Sequence, residues 1–276
     1  MSDELQGVNG AADRVADLAD DLAPYHRRYE DSCDSRAVFA YAYHNLTRDL
    51  AEKLADGEGF HEPNWVADLA VAFGTRYMAA MDAIDGWERD HAPDAAPGDA
   101  FDEAVPRPWA DVYRAICRAR STVLEDLVFA MGAHITYDLP HALLEVGIDA
   151  EHLADYHRMN DVLASQTDAV QDAVTDRYNR LVGRLERVAG GFDELFTNYW
   201  LRIGRSVAWY NAMRMQSPRS RAAAEGSIER ATFYLIESAR SSGPWLVRSA
   251  LRVYRRLLPL ARRWPEPPAE GRGARW

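Results

Sequence analysis

Lysine is almost missing from this chain of 276 residues: of its 32 basic side chains only Lys53 is a lysine, and the rest are arginine. Cysteine is nearly as scarce. Cys33 and Cys117 stand far apart and in no Cys-x-x-Cys pair, which excludes a zinc ribbon or a dithiol redox motif. Each falls in a helical pattern, so both are expected to be reduced and to pack as small buried hydrophobes. No apolar run approaches the roughly 18 uninterrupted residues of a membrane span. The start Met1-Ser2-Asp3-Glu4-Leu5 is acidic where a secretory signal is basic and then apolar. A soluble, cytoplasmic protein is therefore expected. Phosphate-loop, dinucleotide, nucleophile-elbow and His-Glu-x-x-His motifs are also lacking, so nothing names a reaction outright.

What is present is acid, unevenly spread. Residues 200–276 hold fifteen arginines against five glutamates, a balance of +10, so residues 1–199 carry −21 of the net −11. Overall acidity disfavours nucleic acid as a partner. An acidic, lysine-poor surface stays hydrated in a high-salt cytoplasm, which points to a halophilic source with an acidic proteome. A GC-rich genome would also favour Arg, Ala and Asp.

Apolar residues recur at three, four or seven almost throughout, and no segment alternates with period 2. Ala11, Val15, Leu18, Leu22, Tyr25 and Tyr29 predict a first helix. Phe39, Tyr43, Leu46, Leu50 and Leu54 predict a second, stopped at Asp56-Gly57-Glu58-Gly59. Asn64 reads as the N-cap of a third, through Trp65, Leu69, Phe73, Tyr77, Met81 and Ile84. Residues 91–108, with four prolines, read as a loop or lid. A helix over 108–131 follows, which Pro140 obliges to end by about Asp138. Asp149 reads as the cap of a helix over 150–164, with another to 188 before Gly190-Gly191. A hydrophobic, centrally placed helix is expected from Phe192 to Met215 through Phe196, Tyr199, Ile203, Val207 and Tyr210. Another begins at Ser217-Pro218, and a basic amphipathic one spans Trp245 to Trp264. The sum is an all-α, single-domain bundle of about eight to ten helices over residues 1–264, with 265–276 as a disordered tail.

Two polar side chains interrupt the apolar stripe Trp109, Ile116, Val123, Leu127, Met131: the next positions are His134 and Asp138, in Gly132-Ala133-His134-Ile135-Thr136-Tyr137-Asp138-Leu139-Pro140. An unpaired buried carboxylate costs several kcal/mol, so Asp138 must be paired, hydrogen-bonded, metal-bound or solvated in a cleft. The His-x-x-x-Asp spacing lets both reach one divalent metal such as zinc, and it equally suits a structural pair. His141 is a neighbour that could join them. Asn160 falls on the inner stripe between Tyr156 and Leu163, either to orient His134 or a ligand or to tie two helices, while Asp155 and Asp161 beside it read as solvated. Arg205 and Trp209 stand one turn apart, so the guanidinium either rests on the indole or meets an anion such as Asp138 or an acidic substrate. His44, Thr47 and Asp68 are further candidates to complete a metal site.

The string AHITYDLPHAL, with Tyr43 to Thr47, Phe73 to Tyr77, Trp109, Asp155 to Asn160 and Arg205 to Trp209, resembles the domain of unknown function family 5995 over residues 30–215. The resemblance implies an all-α single-domain protein and a site at His134, Asp138, Asn160, Arg205 and Trp209. Gly132 and Thr136 depart from the family pattern, where an amide residue is expected, and residues 216–264 form an extension beyond it.

Two functions of different classes follow. In one, His134 and Asp138 hold a metal that activates water for hydrolysis, Asn160 orients a small-molecule ligand, and Arg205 meets its anionic group, with Trp209, Tyr77 and His44 as further binding residues. In the other, a non-catalytic helical scaffold or binder of a small apolar ligand uses the same residues as a structural network. The basic helix, over 244–264, is expected to dock on the acidic body of its own chain in preference to an anionic membrane.

Overall fold

A computed structural model describes residues 2–57, 59–91, 95, 97–117, 123–163 and 198–241, and every regular element among them is helical. Helices α1 (Ser2–Asp31), α2 (Arg36–Ala55) and α3 (Pro63–Asp90) pack on one another. Their apolar stripes are those of the sequence: Ala11, Val15, Leu18 and Leu22 are buried on α1, and Trp65, Leu69, Tyr77, Met81 and Ile84 on α3. Each large buried side chain of this kind contributes about 1.5–3 kcal/mol by leaving water.

Cys33 corrects one expectation. It is exposed, in the turn between α1 and α2, with a left-handed φ of 55°. The turn is held by Asp34, whose Oδ1 accepts the Arg36 backbone N–H at 2.8 Å. The Arg36 guanidinium is buried among three carboxylates: it donates to Asp34 Oδ2 (2.9 Å), Asp85 Oδ1 (3.0 Å) and Glu88 Oε2 (2.7 Å). The Cys117 side chain lies outside the described residues.

Asn64 does not cap α3. The cap position is Glu62, with Pro63 as the first helical residue, and the Asn64 Oδ1 accepts from Arg14 on α1 at 3.1 Å. The chain just ahead of the helix is held from far along the sequence: Asp155 accepts from His61 N–H at 2.9 Å and Glu62 N–H at 2.7 Å. Asp155 is accordingly buried rather than solvated, because a carboxylate serves a helix start whichever segment carries it. Asp161 is exposed and pairs with Arg202.

Residues 91–108 are not wholly loop. A short helix, α4 (Asp99–Ala104), seats Phe101 fully inside, against Trp87 and Tyr113 at 5.4 and 5.0 Å between ring centroids. Next come α5 (Arg107–Cys117) and α6 (Val123–Ala133), with 118–122 outside the described residues.

Pro140 does not end the helical path. Residues His134–Asp138 form one π-helical turn, in which the Leu139 N–H reaches back five residues to the His134 carbonyl, and α7 (Leu139–Val146) continues directly. Pro140 has no N–H for the Thr136 carbonyl and its ring would crowd that oxygen. One widened turn makes room for it, as π-bulges do.

Residues 153–163 are helical (α8). Asp149 Oδ1 does accept the Glu151 N–H at 2.8 Å, but the helix starts three residues later than that cap implies. The last described elements are α9 (Asn198–Gln216) and α10 (Arg221–Ser241). The expected helix to 188, the turn at Gly190-Gly191, residues 192–197, the basic helix and the tail lie outside the described residues.

Helix α9 faces the other way from its aromatic stripe. Arg205, Ala208, Trp209, Ala212 and Met215 are buried, whereas Val207, Tyr210 and Met213 are exposed. Small Ala208 and Ala212 let α9 approach α7 closely, and packing of this kind outranks an amphipathic count in which both faces carry apolar residues. The π-turn is touched by α3, α9 and α10 as well as its own neighbours. It therefore sits where two parts of the core meet, one around Phe39, Tyr77 and Trp109, the other around Leu139, Tyr156 and Trp209.

Candidate functional site

The π-turn carries both residues of the central motif inward. His134 is 3% exposed and Asp138 2%. Their side chains meet: His134 Nδ1–H donates to Asp138 Oδ2 at 2.8 Å. The same oxygen accepts the indole N–H of Trp109, on α5, at 2.9 Å. Trp109 is the member that sequence reasoning missed. It belongs to the predicted stripe, but its N–H is a donor that any buried indole must place, and that was the available signal.

Aromatic rings close around the imidazole from α2, α3 and α5. Phe73 lies parallel to it at 3.5 Å between centroids and 6° between planes. Tyr43 stands edge-on at 4.7 Å, Phe39 at 5.6 Å and Tyr77 at 5.8 Å, with Trp109 tilted at 6.2 Å. Burial lowers the imidazole pKa from its ordinary value, against the opposing pull of Asp138, so His134 is neutral at pH 7. The one proton of a neutral ring is committed to Asp138 through Nδ1. Nε2 is left as a bare acceptor, and it is buried with no hydrogen-bond partner among the described residues. The hydroxyl of Tyr77 is in the same position, kept protonated because burial raises its pKa well above 10.0.

A cavity of about 20 Å³ adjoins this box, its walls almost wholly apolar and including Phe39, Tyr77, Met81, Ile84 and Trp109. That is room for one or two water molecules. His134 does not itself line it, but three of the rings around His134 do.

Asn160 and Arg205 form a second pair. Arg205 Nε donates to Asn160 Oδ1 at 2.6 Å, and its Nη2 to the Tyr156 carbonyl at 3.1 Å. Tyr156 answers with its hydroxyl on the Arg205 carbonyl at 2.6 Å. The guanidinium lies over the Tyr156 ring at 4.2 Å, so its aromatic partner is Tyr156 rather than Trp209. Trp209 packs against Tyr156 at 4.8 Å and Trp65 at 6.5 Å. Asn160 thus ties α8 to α9. No hydrogen bond or ion pair among the described residues joins this pair to His134 and Asp138.

The remaining candidates are dispersed. His44 is half-buried on α2, where burial and then Arg48 and Arg27 lower its pKa, Arg27 belonging to α1. Thr47 donates to the Tyr43 carbonyl, Asp68 is exposed beside Arg14, and His141 donates to the Tyr137 carbonyl at 2.8 Å. Among the described residues no group of three or more His, Cys, Asp or Glu is placed to hold a metal ion. No helix among them is long and apolar enough to cross a membrane.

The two departures from the motif have a common cause. A Cβ on Gly132 would run into the Leu235 side chain of α10, and Thr136 donates to the Gly132 carbonyl at 2.7 Å while meeting Thr232 of α10 at 3.2 Å. An amide at either position would meet α10 rather than the imidazole.

None of the curated proteins and none of the solved structures matches the chain at a significant level. One family model does match, over residues 15–239, wider at both ends than the 30–215 traced from the motif, and it takes in the π-turn, Asn160 and the Arg205–Trp209 segment. The chain belongs to the family of unknown function DUF5995.

Proposed function

We propose that the protein is a non-catalytic helical binder of a small, largely apolar guest that carries one hydrogen-bond donor. The observation behind this reading is the Nε2 of His134: buried, without a partner among the described residues, and held in its acceptor form by Asp138. Leaving such an atom unpaired costs about 1–3 kcal/mol, and a donor from a guest removes that cost. The apolar cavity beside the box offers the neighbouring volume. A hydroxyl or amine end fits it directly, and a ring-sized guest enters as Phe39 or Tyr77 turns aside.

The test uses phenol and toluene, which share a ring and differ in the donor. Phenol is expected to raise the melting temperature and shift the His134 Nε2 resonance, binding roughly five-fold more tightly than toluene for a hydrogen bond of about 1 kcal/mol. Equal effects of the two, or an unmoved Nε2 resonance, overturn the reading.

A metal-dependent hydrolase is the second reading, and one observation favours it. A carboxylate behind an imidazole is the arrangement that orients a metal-binding histidine, and Asp138 stands so behind His134. On this reading the ion, zinc or another divalent metal, sits on Nε2, while Asp138 keeps the ring in place rather than binding directly. Metal analysis of protein purified without an affinity tag decides it: a stoichiometric ion lost in His134→Ala supports hydrolase screening. We also take residues 1–264 to be one domain in the cytoplasm, a placement that fractionation of the source cells tests.

A further inference from the structure

Among the described residues the side chains of Arg36 and Arg205 are both largely withdrawn from water, and their surroundings differ in kind. Arg36 has three carboxylates on it, from Asp34, Asp85 and Glu88. Arg205, 5% exposed, has none among the described residues: its partners there are the Asn160 amide oxygen, the Tyr156 carbonyl and the Tyr156 ring. The contrast also shows in the charge balance at each site. Burial alone would lower the pKa of both guanidiniums; at Arg36 the carboxylates, Asp34 foremost, more than reverse this, whereas at Arg205 burial prevails over the opposing effect of Tyr156.

Arginine does not lose its charge at neutral pH, so Arg205 is a buried cation whose company among the described residues is neutral. Removing a charge from water without a counter-charge costs several kcal/mol, which the two neutral acceptors and the ring face offset without neutralising the charge. A guanidinium has five N–H donors arranged to meet an oxyanion with two parallel hydrogen bonds. Nε and Nη2 are each engaged once, and Nη1 has no hydrogen-bond partner among the described residues. The donors left over are thus those that an incoming anion would use. In a chain with a net charge of −11, a fixed cation that meets no carboxylate among the described residues stands out.

We propose that Arg205, braced by Asn160 and Tyr156, is the binding group of a site for a small oxyanion, a carboxylate or phosphate carried by a metabolite-sized ligand. Asn160 and Tyr156 act as positioning residues: they hold the guanidinium by Nε and Nη2 and leave Nη1 to the ligand. This site is separate from the His134 box and stands whether or not that box takes a guest.

The experiment follows the melting temperature of the full chain as inorganic phosphate, and separately acetate, replaces chloride at constant ionic strength and pH 7. Phosphate strengthens burial in any protein, so the readout is the difference between wild type and variants. Asn160→Asp is the informative one. It places a carboxylate where the amide oxygen stands, 2.6 Å from Nε, and so supplies the missing counter-charge from within. Without added anion, Asn160→Asp is expected to melt above wild type, and the saturable rise seen in wild type is expected to vanish in it and in Arg205→Met. A response to phosphate alone or acetate alone identifies which oxyanion the site takes. No saturable response in wild type, or one that persists at equal size in both variants, overturns the proposal.

Discussion

The His134 region and the Arg205 region each place one charged side chain in the interior, and its partners among the described residues are neutral. At Asp138 the charge is an anion, and the partners are two ring N–H donors, from His134 and Trp109. At Arg205 the charge is a cation, and the partners are two oxygens and a ring face. They differ in what remains open. The anion's site leaves over an acceptor, His134 Nε2, whereas the cation's site leaves over a donor, Arg205 Nη1. Satisfying a buried charge displaces the unmet hydrogen-bonding capacity to the edge of the network, and its sign tells what each edge would recognise.

Breaking the anion's side has the largest expected effect. Asp138→Ala strands the Trp109 and His134 N–H groups in an apolar box, and we expect a loss of about 3–5 kcal/mol in a denaturant titration. A loss below about 1 kcal/mol would show that the two donors find other partners. Trp109→Phe comes next. It keeps most of the ring and takes one donor from the carboxylate, so a loss of about 1–3 kcal/mol is expected.

The third effect depends on pH. Burial, opposed by Asp138, depresses the folded-state pKa of His134, while the unfolded imidazole titrates near 6.5. The unfolded chain therefore takes up the proton first as pH falls. Stability is full above about 6.5 and declines below it until the folded value is reached. His44, also lowered by burial and then by Arg48 and Arg27, adds to the decline. Melting curves from pH 8 to 5 should show this drop in wild type and a shallower one in His134→Gln, and parallel curves would remove His134 as a contributor. The smallest effect is expected of Tyr77→Phe. Its hydroxyl is buried without a partner among the described residues, so its removal should leave stability unchanged or raise it by up to about 1 kcal/mol. Destabilisation would reveal a partner for that hydroxyl, such as an ordered water.

Much of the site was legible in the chain because it is local. Residues four apart share a helical face, so the count that places Leu127 and Met131 inward also places His134 and Asp138 inward. The π-turn was not legible as such: Pro140 announced a disturbance, but a proline ends a helix or is absorbed by it according to what packs around it. The orientation of α9 was ambiguous for a related reason. Both its faces hold apolar residues, and the inward one is chosen by contact with α7.

The sequence by itself determined the helical fold, the stripes of α1 to α3 and the inward-facing His134–Asp138 pair. All of these follow from backbone periodicity over a few turns. The tertiary structure alone decided that Trp109 completes the pair across 29 residues, that Arg205 meets Asn160 across 45, and that Asp155 holds the chain entering α3 from 94 residues away. Those partners are chosen by which helices come to lie side by side, and that depends on the packing of the whole core rather than on the spacing within any one segment.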